Sequence, residues 1–119
     1  MLTRPIAYLL RSDFTDDGNL TPELRRTPIF VMFQSNHCHF CNIAKPAFQA
    51  LANERIISCM TVQGDGSPQE REIMNIIDRI YPNFQGYPSY MLFINGKKIA
   101  YNGARDLTSM RNFIQSHLN

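Results

Sequence analysis

The feature that most constrains the fold is a run of five apolar residues, Ile29 to Phe33, which contains no polar side chain. A strand with one face in water alternates apolar and polar residues, whereas a strand that is covered on both faces is apolar throughout. Five residues are also too few to span a bilayer. The run therefore predicts a central strand in a sheet that other elements cover on both faces.

Extended and helical patterns alternate along the remaining chain. The predicted order is β-α-β-α-β-α-β-β-α, which indicates an α/β fold, a three-layer α/β/α sandwich with a central mixed sheet. We expect a single domain over residues 1–119. Strands are predicted at 6–10, 29–33, 55–62, 89–94 and 98–101, and helices are predicted at 21–26, 42–52, 67–80 and 106–117.

Two of these elements carry distinct terminal signals. Ser67-Pro68-Gln69-Glu70 forms a capping box with proline at the first helical position, which predicts the start of a helix. Isoleucines then recur at helical spacing, so one continuous helix is expected. Asn95-Gly96 lies between two apolar runs and predicts a tight hairpin. The isoleucines are Ile73, Ile76, Ile77 and Ile80.

Composition and charge exclude several classes of protein. The 119 residues are 44% hydrophobic and 18% charged, and their net charge is +2. A disordered chain has fewer apolar residues, and a nucleic-acid-binding or membrane-surface protein has a larger positive charge. No segment has the pattern of a secretory signal, an endoplasmic-reticulum retrieval signal or a transmembrane helix. We therefore expect a cytoplasmic monomer without nucleic-acid or membrane partners, and a viral origin is compatible with the same features.

Cys38 and Cys41 form a C-x-x-C motif that follows the central strand and begins the next helix. A helix N-terminus offers unpaired N–H groups and a partial positive charge, and both favour a thiolate at Cys38. Cys41 lies one turn further along and is expected to be more buried. The arrangement predicts thiol–disulfide exchange, in which Cys38 attacks a disulfide and Cys41 then attacks the mixed disulfide and releases the product.

The same motif occurs in zinc sites, so a metal-binding alternative stays open at this point. Its candidate ligands are the two cysteines of the motif, His37, His39 and Cys59. Both histidines adjoin Cys38 on one turn, which makes tetrahedral closure within one chain awkward. We therefore predict redox chemistry without a metal, and we expect Cys59, inside a predicted strand, to be buried and inert.

Further features follow the motif in a specific order. Pro46 lies inside the helix, Gly86-Tyr87-Pro88-Ser89 precedes an apolar strand, and Tyr101-Asn102-Gly103-Ala104-Arg105 follows the hairpin. From Pro28 onward the chain resembles the thioredoxin superfamily, in particular the catalytic domains of protein disulfide isomerases. The resemblance implies a thioredoxin fold and a thiol–disulfide oxidoreductase that acts on disulfides or dithiols of proteins. It also implies an external redox partner and no bound cofactor.

The resemblance assigns roles to residues around the cysteine pair. Pro88 matches the family's cis-proline, which shapes the substrate groove, and the backbone of Tyr87 would pair with an extended substrate chain. Arg105 matches an arginine that can move toward the second cysteine and lower its pKa. Phe40 and Tyr87 are expected to be exposed beside the motif and to contact substrate.

Several positions depart from the family pattern. Met32 occupies the position of a buried Asp or Glu that accepts the proton of the second cysteine, so slower substrate release is expected. His37 replaces the usual tryptophan, and His39 and Phe40 lie between the cysteines. Protonated histidines would stabilise the Cys38 thiolate and favour oxidant behaviour, so the direction of electron flow stays open. Two alternatives remain: a redox-impaired binding or chaperone module, and a glutathione-dependent, glutaredoxin-like enzyme.

Overall fold

A five-stranded mixed sheet organises the protein. The structure is a computed structural model that describes residues 3–118, so the ends of the expected domain lie outside the described residues. The strands are β1 (Ala7–Tyr8), β2 (Ile29–Gln34), β3 (Ser58–Gln63), β4 (Ser89–Ile94) and β5 (Lys97–Tyr101). The α-helices are α1 (His39–Asn53), α2 (Pro68–Arg71), α3 (Ile77–Ile80) and α4 (Leu107–Leu118).

Strand β2 lies at the centre of the sheet, whose strand order is β1-β3-β2-β4-β5. Strands β1, β3 and β2 run parallel, and β4 and β5 are antiparallel to their neighbours. Every residue of β2 is buried, which confirms the prediction from the apolar run. Because β2 and β3 are parallel, their carboxyl ends meet at one edge of the sheet, and the loops that follow them lie side by side.

Apolar clusters cover both faces of the sheet, as the three-layer prediction requires. Phe30 and Met32 of β2 belong to one cluster, which packs against α1 and α4, and Val31 and Phe33 belong to the other. Helix α1 continues without interruption through Pro46. The side chains of α1 and α4 that are buried in the first cluster are Cys41, Ala44, Phe48, Leu51, Ala52, Met110 and Ile114.

The prediction of one continuous helix over 67–80 is wrong. The segment divides into α2, a 3₁₀-helix over Glu72–Ile76, and α3. The capping box forms as predicted, since the Ser67 N–H donates to Glu70 Oε1 at 2.8 Å. The break occurs at Ile76, whose φ of −123° and ψ of 20° are not helical. Packing against the sheet therefore overrides regular helical spacing, and the isoleucines that it buries are Ile73, Ile76 and Ile80.

The predicted helix over 21–26 is also shorter than expected, because only Leu24–Arg26 is helical and its geometry is 3₁₀. The end at Arg26 is as predicted, whereas residues 21–23 form only a turn, in which the Leu24 and Arg25 N–H groups donate to the Thr21 carbonyl at 3.0 and 3.1 Å. Strand β3 begins at Ser58 rather than at residue 55, since Arg55 has a positive φ of 60°. The Asn95-Gly96 hairpin forms as predicted, with both residues at positive φ. Within residues 3–118, no helix has the length and apolar character needed to cross a membrane.

Candidate active site

Cys38 lies where the carboxyl end of β2 leads into α1. It is the N-cap of the helix, with extended backbone angles (φ −101°, ψ 103°). Its sulfur accepts a hydrogen bond from the N–H of Cys41 at 3.1 Å. A helix N-terminal amide aimed at the sulfur stabilises a thiolate there once the disulfide opens, as the sequence predicted.

The two cysteines form a disulfide and differ in exposure. Their α-carbons are 5.2 Å apart. Cys38 is half-buried, whereas Cys41 has no exposed surface. An incoming sulfur can therefore reach Cys38 only, which suits Cys38 as the attacked and attacking atom and Cys41 as the internal partner.

The turn before Cys38 has an unusual conformation. His37 has a φ of 58°, in the left-handed region that residues with a β-carbon rarely adopt. The Asp65 carboxylate holds the preceding residue, because its two oxygens accept the Asn36 N–H at 2.9 and 3.0 Å. The side-chain amide of Gln63 donates to the same carboxylate at 3.0 Å. These hydrogen bonds, and more weakly the charge of His37, hold the pKa of Asp65 below its usual value.

Two apolar side chains on the first turns of α1 point into solvent. Phe40 and Ile43 are each 62% exposed, and the His39 ring lies 5.5 Å from the Phe40 ring, centre to centre. The exposure of Phe40 agrees with the sequence prediction, and Ile43 extends the apolar surface by one turn. The surface lies beside the half-buried sulfur of Cys38.

The peptide bond between Tyr87 and Pro88 is cis, as the family resemblance implied. The expectation of an exposed Tyr87 side chain is wrong, since it is half-buried and its hydroxyl donates to the sulfur of Met74 at 3.2 Å. That hydroxyl packs against Gly64, where an added β-carbon would lie 1.9 Å from its oxygen. The Tyr87 side chain therefore offers a substrate chain less surface than expected, and its hydroxyl is turned toward Met74.

The interior behind Cys41 contains no acidic side chain among the described residues. Met32 is fully buried in the same apolar cluster as Cys41, and its cross-strand neighbours are Thr61 and Tyr90. The Thr61 hydroxyl donates to the Met32 carbonyl at 2.8 Å and accepts from the Gln34 side chain at 2.7 Å. These hydrogen bonds leave Gln34 Oε1, two residues from Met32 on the same face of β2, without a partner.

Two buried polar atoms of this interior have no hydrogen-bond partner among the described residues, Gln34 Oε1 and the Tyr90 hydroxyl. Burial raises the pKa of Tyr90 to about 12, and the positive charge of Arg105 acts in the opposite direction. Arg105 itself is exposed, so its charge lies at the border between solvent and the cluster that holds Cys41.

The comparisons agree with this geometry. The chain is 34% identical over 128 residues to thioredoxin-like protein 453L of Invertebrate iridescent virus 6, and the match covers 93% of each protein. The chain belongs to the thioredoxin-like family. A second relative, bloodstream-specific protein 2 of Trypanosoma brucei brucei, is 28% identical to this chain over 102 residues. That match covers 84% of this chain and 19% of the trypanosome protein.

Solved structures show the same fold. The J-Trx1 fragment of ERdj5 superposes with a TM-score of 0.71 at 23% identity, covering 94% of this chain and 49% of that fragment. Thioredoxin f2 of Chlamydomonas reinhardtii superposes with a TM-score of 0.68 at 19% identity, covering 95% of this chain and 96% of that one. These superpositions confirm the thioredoxin fold that was predicted from the sequence. No protein-family model matches the chain.

The third cysteine of this thioredoxin-like protein lies apart from the Cys38–Cys41 pair. Cys59 is 7% exposed on β3, and burial raises the pKa of its thiol to about 12, as expected for an inert residue. Within residues 3–118, no three His, Cys, Asp or Glu side chains come together as a metal site would require. The structure therefore does not gather the ligands of the metal alternative, which include His37, His39 and Cys59.

Sequence reasoning missed two residues of the site. Asp65 lies in Gly64-Asp65-Gly66, which the sequence indicated only as a turn. The available signal was topological. The turn follows β3 and the C-x-x-C follows the parallel strand β2, so the two segments lie at the same edge of the sheet. No comparable signal marked the Tyr90 hydroxyl, since a tyrosine in a strand usually finds a partner.

Proposed function

We propose that the protein is a thiol–disulfide oxidoreductase that exchanges disulfides with protein substrates through Cys38 and Cys41. The observation that carries the proposal is the half-buried Cys38 sulfur, which receives a helix N-terminal N–H and is bonded to a fully buried Cys41. Membership of the thioredoxin-like family supports the same chemistry. No bound cofactor takes part in the proposed reaction.

The reaction transfers two electrons in two steps. In the reducing direction, the Cys38 thiolate attacks one substrate sulfur, the substrate disulfide breaks, and the leaving sulfur takes up a proton. Cys41 then loses its thiol proton and attacks Cys38, which releases the second substrate sulfur as a thiolate. The protein ends as the Cys38–Cys41 disulfide, and an external dithiol must reduce it for another cycle. In reverse, the same steps oxidise a substrate dithiol.

The surroundings of Cys38 suit a polypeptide substrate. Phe40 supplies exposed apolar surface next to the sulfur, and an extended chain could pair with the Tyr87 backbone beside Pro88. His37 and His39, both exposed, would add positive charge near the thiolate when they are protonated. These features favour flexible segments that carry an apolar residue near their cysteine.

Arg105 is the proposed aid to the resolving step. Its charge already acts on the Tyr90 hydroxyl in the cluster around Cys41. Movement of the guanidinium toward Cys41 would stabilise the thiolate that attacks the mixed disulfide. This role is the family's, and Arg105 supplies it in a site where Met32 offers no proton acceptor.

One observation favours a second function, a binding module with impaired redox activity. Met32 leaves the interior without an acid, so Cys41 loses its proton slowly and a mixed disulfide would persist. Such a protein would hold its partner rather than turn over. The rate at which the mixed disulfide resolves separates the two functions.

The test is to trap the intermediate. In Cys41→Ser, a disulfide-containing protein such as insulin is expected to remain covalently bound to Cys38, with the adduct visible by mass spectrometry and reversed by dithiothreitol. Cys38→Ser is expected to lose at least ~1,000-fold in insulin-reducing activity. Cys59→Ser is the matched control and should retain both activities. Absence of an adduct in Cys41→Ser would refute disulfide exchange, and an adduct with glutathione alone would favour the glutaredoxin-like alternative.

The reduction potential decides the direction of electron flow. A value near about −270 mV would make the protein a reductant, and a value near about −180 mV or higher would make it an oxidant or isomerase. Equilibration in glutathione buffers followed by alkylation and mass spectrometry gives this number. A low potential would also fit the expected cytoplasmic setting, where the redox partner is a reductase.

A further inference from the structure

The loop between β3 and α2 contacts both sides of the groove beside the cysteines. On one side, the Asp65 carboxylate accepts the Asn36 N–H with both oxygens. On the other, Gly64 packs against the Tyr87 hydroxyl. The loop is itself anchored, because the Gly64 N–H donates to the Gln34 carbonyl at 2.8 Å at the end of β2. Asp65 is exposed, and its carboxylate is held in place by the hydrogen bonds from Asn36 and Gln63.

The turn that Asp65 holds has little else to stabilise it. Asn36 and His37 are both exposed, so no apolar burial fixes them. His37 adopts a left-handed φ of 58°, which costs a residue with a β-carbon free energy and persists only where surrounding contacts enforce it. Since His37 directly precedes Cys38, its conformation determines how the chain enters the N-cap position.

We propose that Asp65 is a positioning residue that keeps the Asn36–His37 turn left-handed and thereby holds the Cys38 sulfur against the N–H of Cys41. The inference rests on the proposed role of Cys38 as nucleophile. If the turn relaxes, Cys38 leaves the N-cap geometry, its sulfur loses the 3.1 Å hydrogen bond, and the thiolate loses a stabilising donor.

Two opposite effects of Asp65 allow a sharp test. As a charge, a carboxylate near Cys38 destabilises the thiolate, so its removal alone would lower the Cys38 pKa. As a positioning group, it stabilises the thiolate, so its loss would raise that pKa. The other titratable side chains around Cys38 are His37 on the turn, His39 on α1 and Tyr87 before β4, and all three are kept in this comparison.

The experiment measures the rate of Cys38 alkylation against pH in the full chain with Cys41→Ser and Cys59→Ser, where Cys38 is the sole thiol. Asp65→Ala removes both carboxylate oxygens that accept the Asn36 N–H and is expected to raise the Cys38 pKa by about one unit, a tenfold loss of thiolate at pH values below the pKa. Asp65→Asn removes the charge, keeps an acceptor oxygen, and is expected to leave the pKa equal or lower. A lower or unchanged pKa in both variants would overturn the proposal.

A second pair of variants, which carries His37→Gly, tests whether Asp65 changes the Cys38 pKa through the conformation of His37. Glycine adopts a left-handed φ without strain, so in His37→Gly the Asp65→Ala substitution is expected to change the Cys38 pKa by less than half as much. An equal change in both backgrounds would contradict a role through His37. Alkylation requires no disulfide substrate, so failure to form a mixed disulfide would refute the exchange function while leaving this result intact.

Discussion

The two cysteines of the site are bonded to each other, yet their surroundings differ in kind. Cys38 is half-buried, receives a backbone N–H, follows a turn held by Asp65 and adjoins two histidines. Cys41 is fully buried among apolar side chains, with Met32 where the family has an acid. In the proposed mechanism, attack by Cys38 is therefore supported by its surroundings, whereas the apolar cluster around Cys41 has no acidic side chain to accept the proton of Cys41.

The difference teaches that the two half-reactions of one motif are supported separately. The thiolate of Cys38 is stabilised by local structure, since an N-cap sulfur and a following N–H come with the helix itself. In the proposed mechanism, deprotonation of Cys41 needs a proton acceptor from the sheet beneath α1. Strand β2 places Met32, which cannot accept a proton, at the position where the family has an acid. Substitutions on the two sides should accordingly change different steps.

Among substitutions around the two cysteines, rather than of them, the largest expected effect comes from introducing an acid with Met32→Asp. A carboxyl at this fully buried position should accept the Cys41 proton and speed release of the mixed disulfide by at least ~10-fold. It should also destabilise the fold, because burial raises the carboxyl pKa well above its unfolded value. Between those two pKa values the folded state holds a proton that the unfolded state has lost, so stability falls as pH rises.

We expect Met32→Asp to lose on the order of 3 kcal/mol more stability at pH 7 than at pH 3.5, relative to the natural protein. Urea unfolding at both pH values measures the difference, and stopped-flow release of a preformed mixed disulfide measures the rate. Met32→Leu introduces a side chain that is similar in size and uncharged, so it should change neither the pH dependence of stability nor the release rate strongly. Unchanged release in Met32→Asp would mean that proton transfer from Cys41 does not limit the reaction.

An intermediate effect is expected on the Cys38 side from Gly64→Ala. The new β-carbon would lie 1.9 Å from the Tyr87 hydroxyl oxygen and 2.6 Å from the ring carbon that bears it, so the tyrosine must move and its bond to Met74 is lost. Overpacking of this kind costs about 1–3 kcal/mol. The displaced Tyr87 should weaken substrate binding while the resolving step stays unchanged.

Gly66→Ala in the same loop is the control for Gly64→Ala. Its added β-carbon would lie 2.5 Å from Glu70 Oε1, so the Glu70 side chain must rotate and lose its capping bond from the Ser67 N–H, while Tyr87 is not contacted. Thermal unfolding and the Michaelis constant for insulin reduction compare the two variants. Equal losses in both would show that the loop as a whole, rather than the contact with Tyr87, determines the effect.

Local signals in the sequence were sufficient for most of the fold. The apolar run of β2, the Ser67 capping box and the Asn95-Gly96 turn each depend on neighbouring residues, and each was confirmed. The break at Ile76 was not predictable, because the contacts that favour it come from the sheet. Helical spacing alone cannot show which of two geometries buries the isoleucines better.

The candidate site likewise contains some residues that local sequence patterns predicted and others that only the folded sheet brings together. The sequence predicted the roles of Cys38 and Cys41 from a strand, a motif and a helix, all contiguous in the chain. Asp65 and Asn36 are 29 residues apart and meet only because β2 and β3 end together. The inward orientation of Tyr87 likewise depends on a glycine in another loop. Such contacts need the register of the sheet, which no local pattern provides.

The smallest expected effect concerns the unpartnered hydroxyl of Tyr90 on the Cys41 side. Tyr90→Phe removes a buried group that makes no hydrogen bond, so stability should rise by about 1 kcal/mol. Tyr101→Phe is the matched control in the same cluster. Its hydroxyl donates to the Ala104 carbonyl, so the loss of that bond should lower stability by a similar amount.

Urea unfolding of Tyr90→Phe and Tyr101→Phe gives the sign of each change in stability. The release rate of the mixed disulfide shows whether the Tyr90 hydroxyl takes part in the resolving step. An unchanged rate in Tyr90→Phe would show that this hydroxyl is only an unsatisfied group and takes no part in the deprotonation of Cys41. A slower rate would make Tyr90 the substitute for the missing acid, because loss of one oxygen would then affect resolution without weakening the fold. In that case the Cys41 side would be as well supported as the Cys38 side, and the contrast between them would disappear.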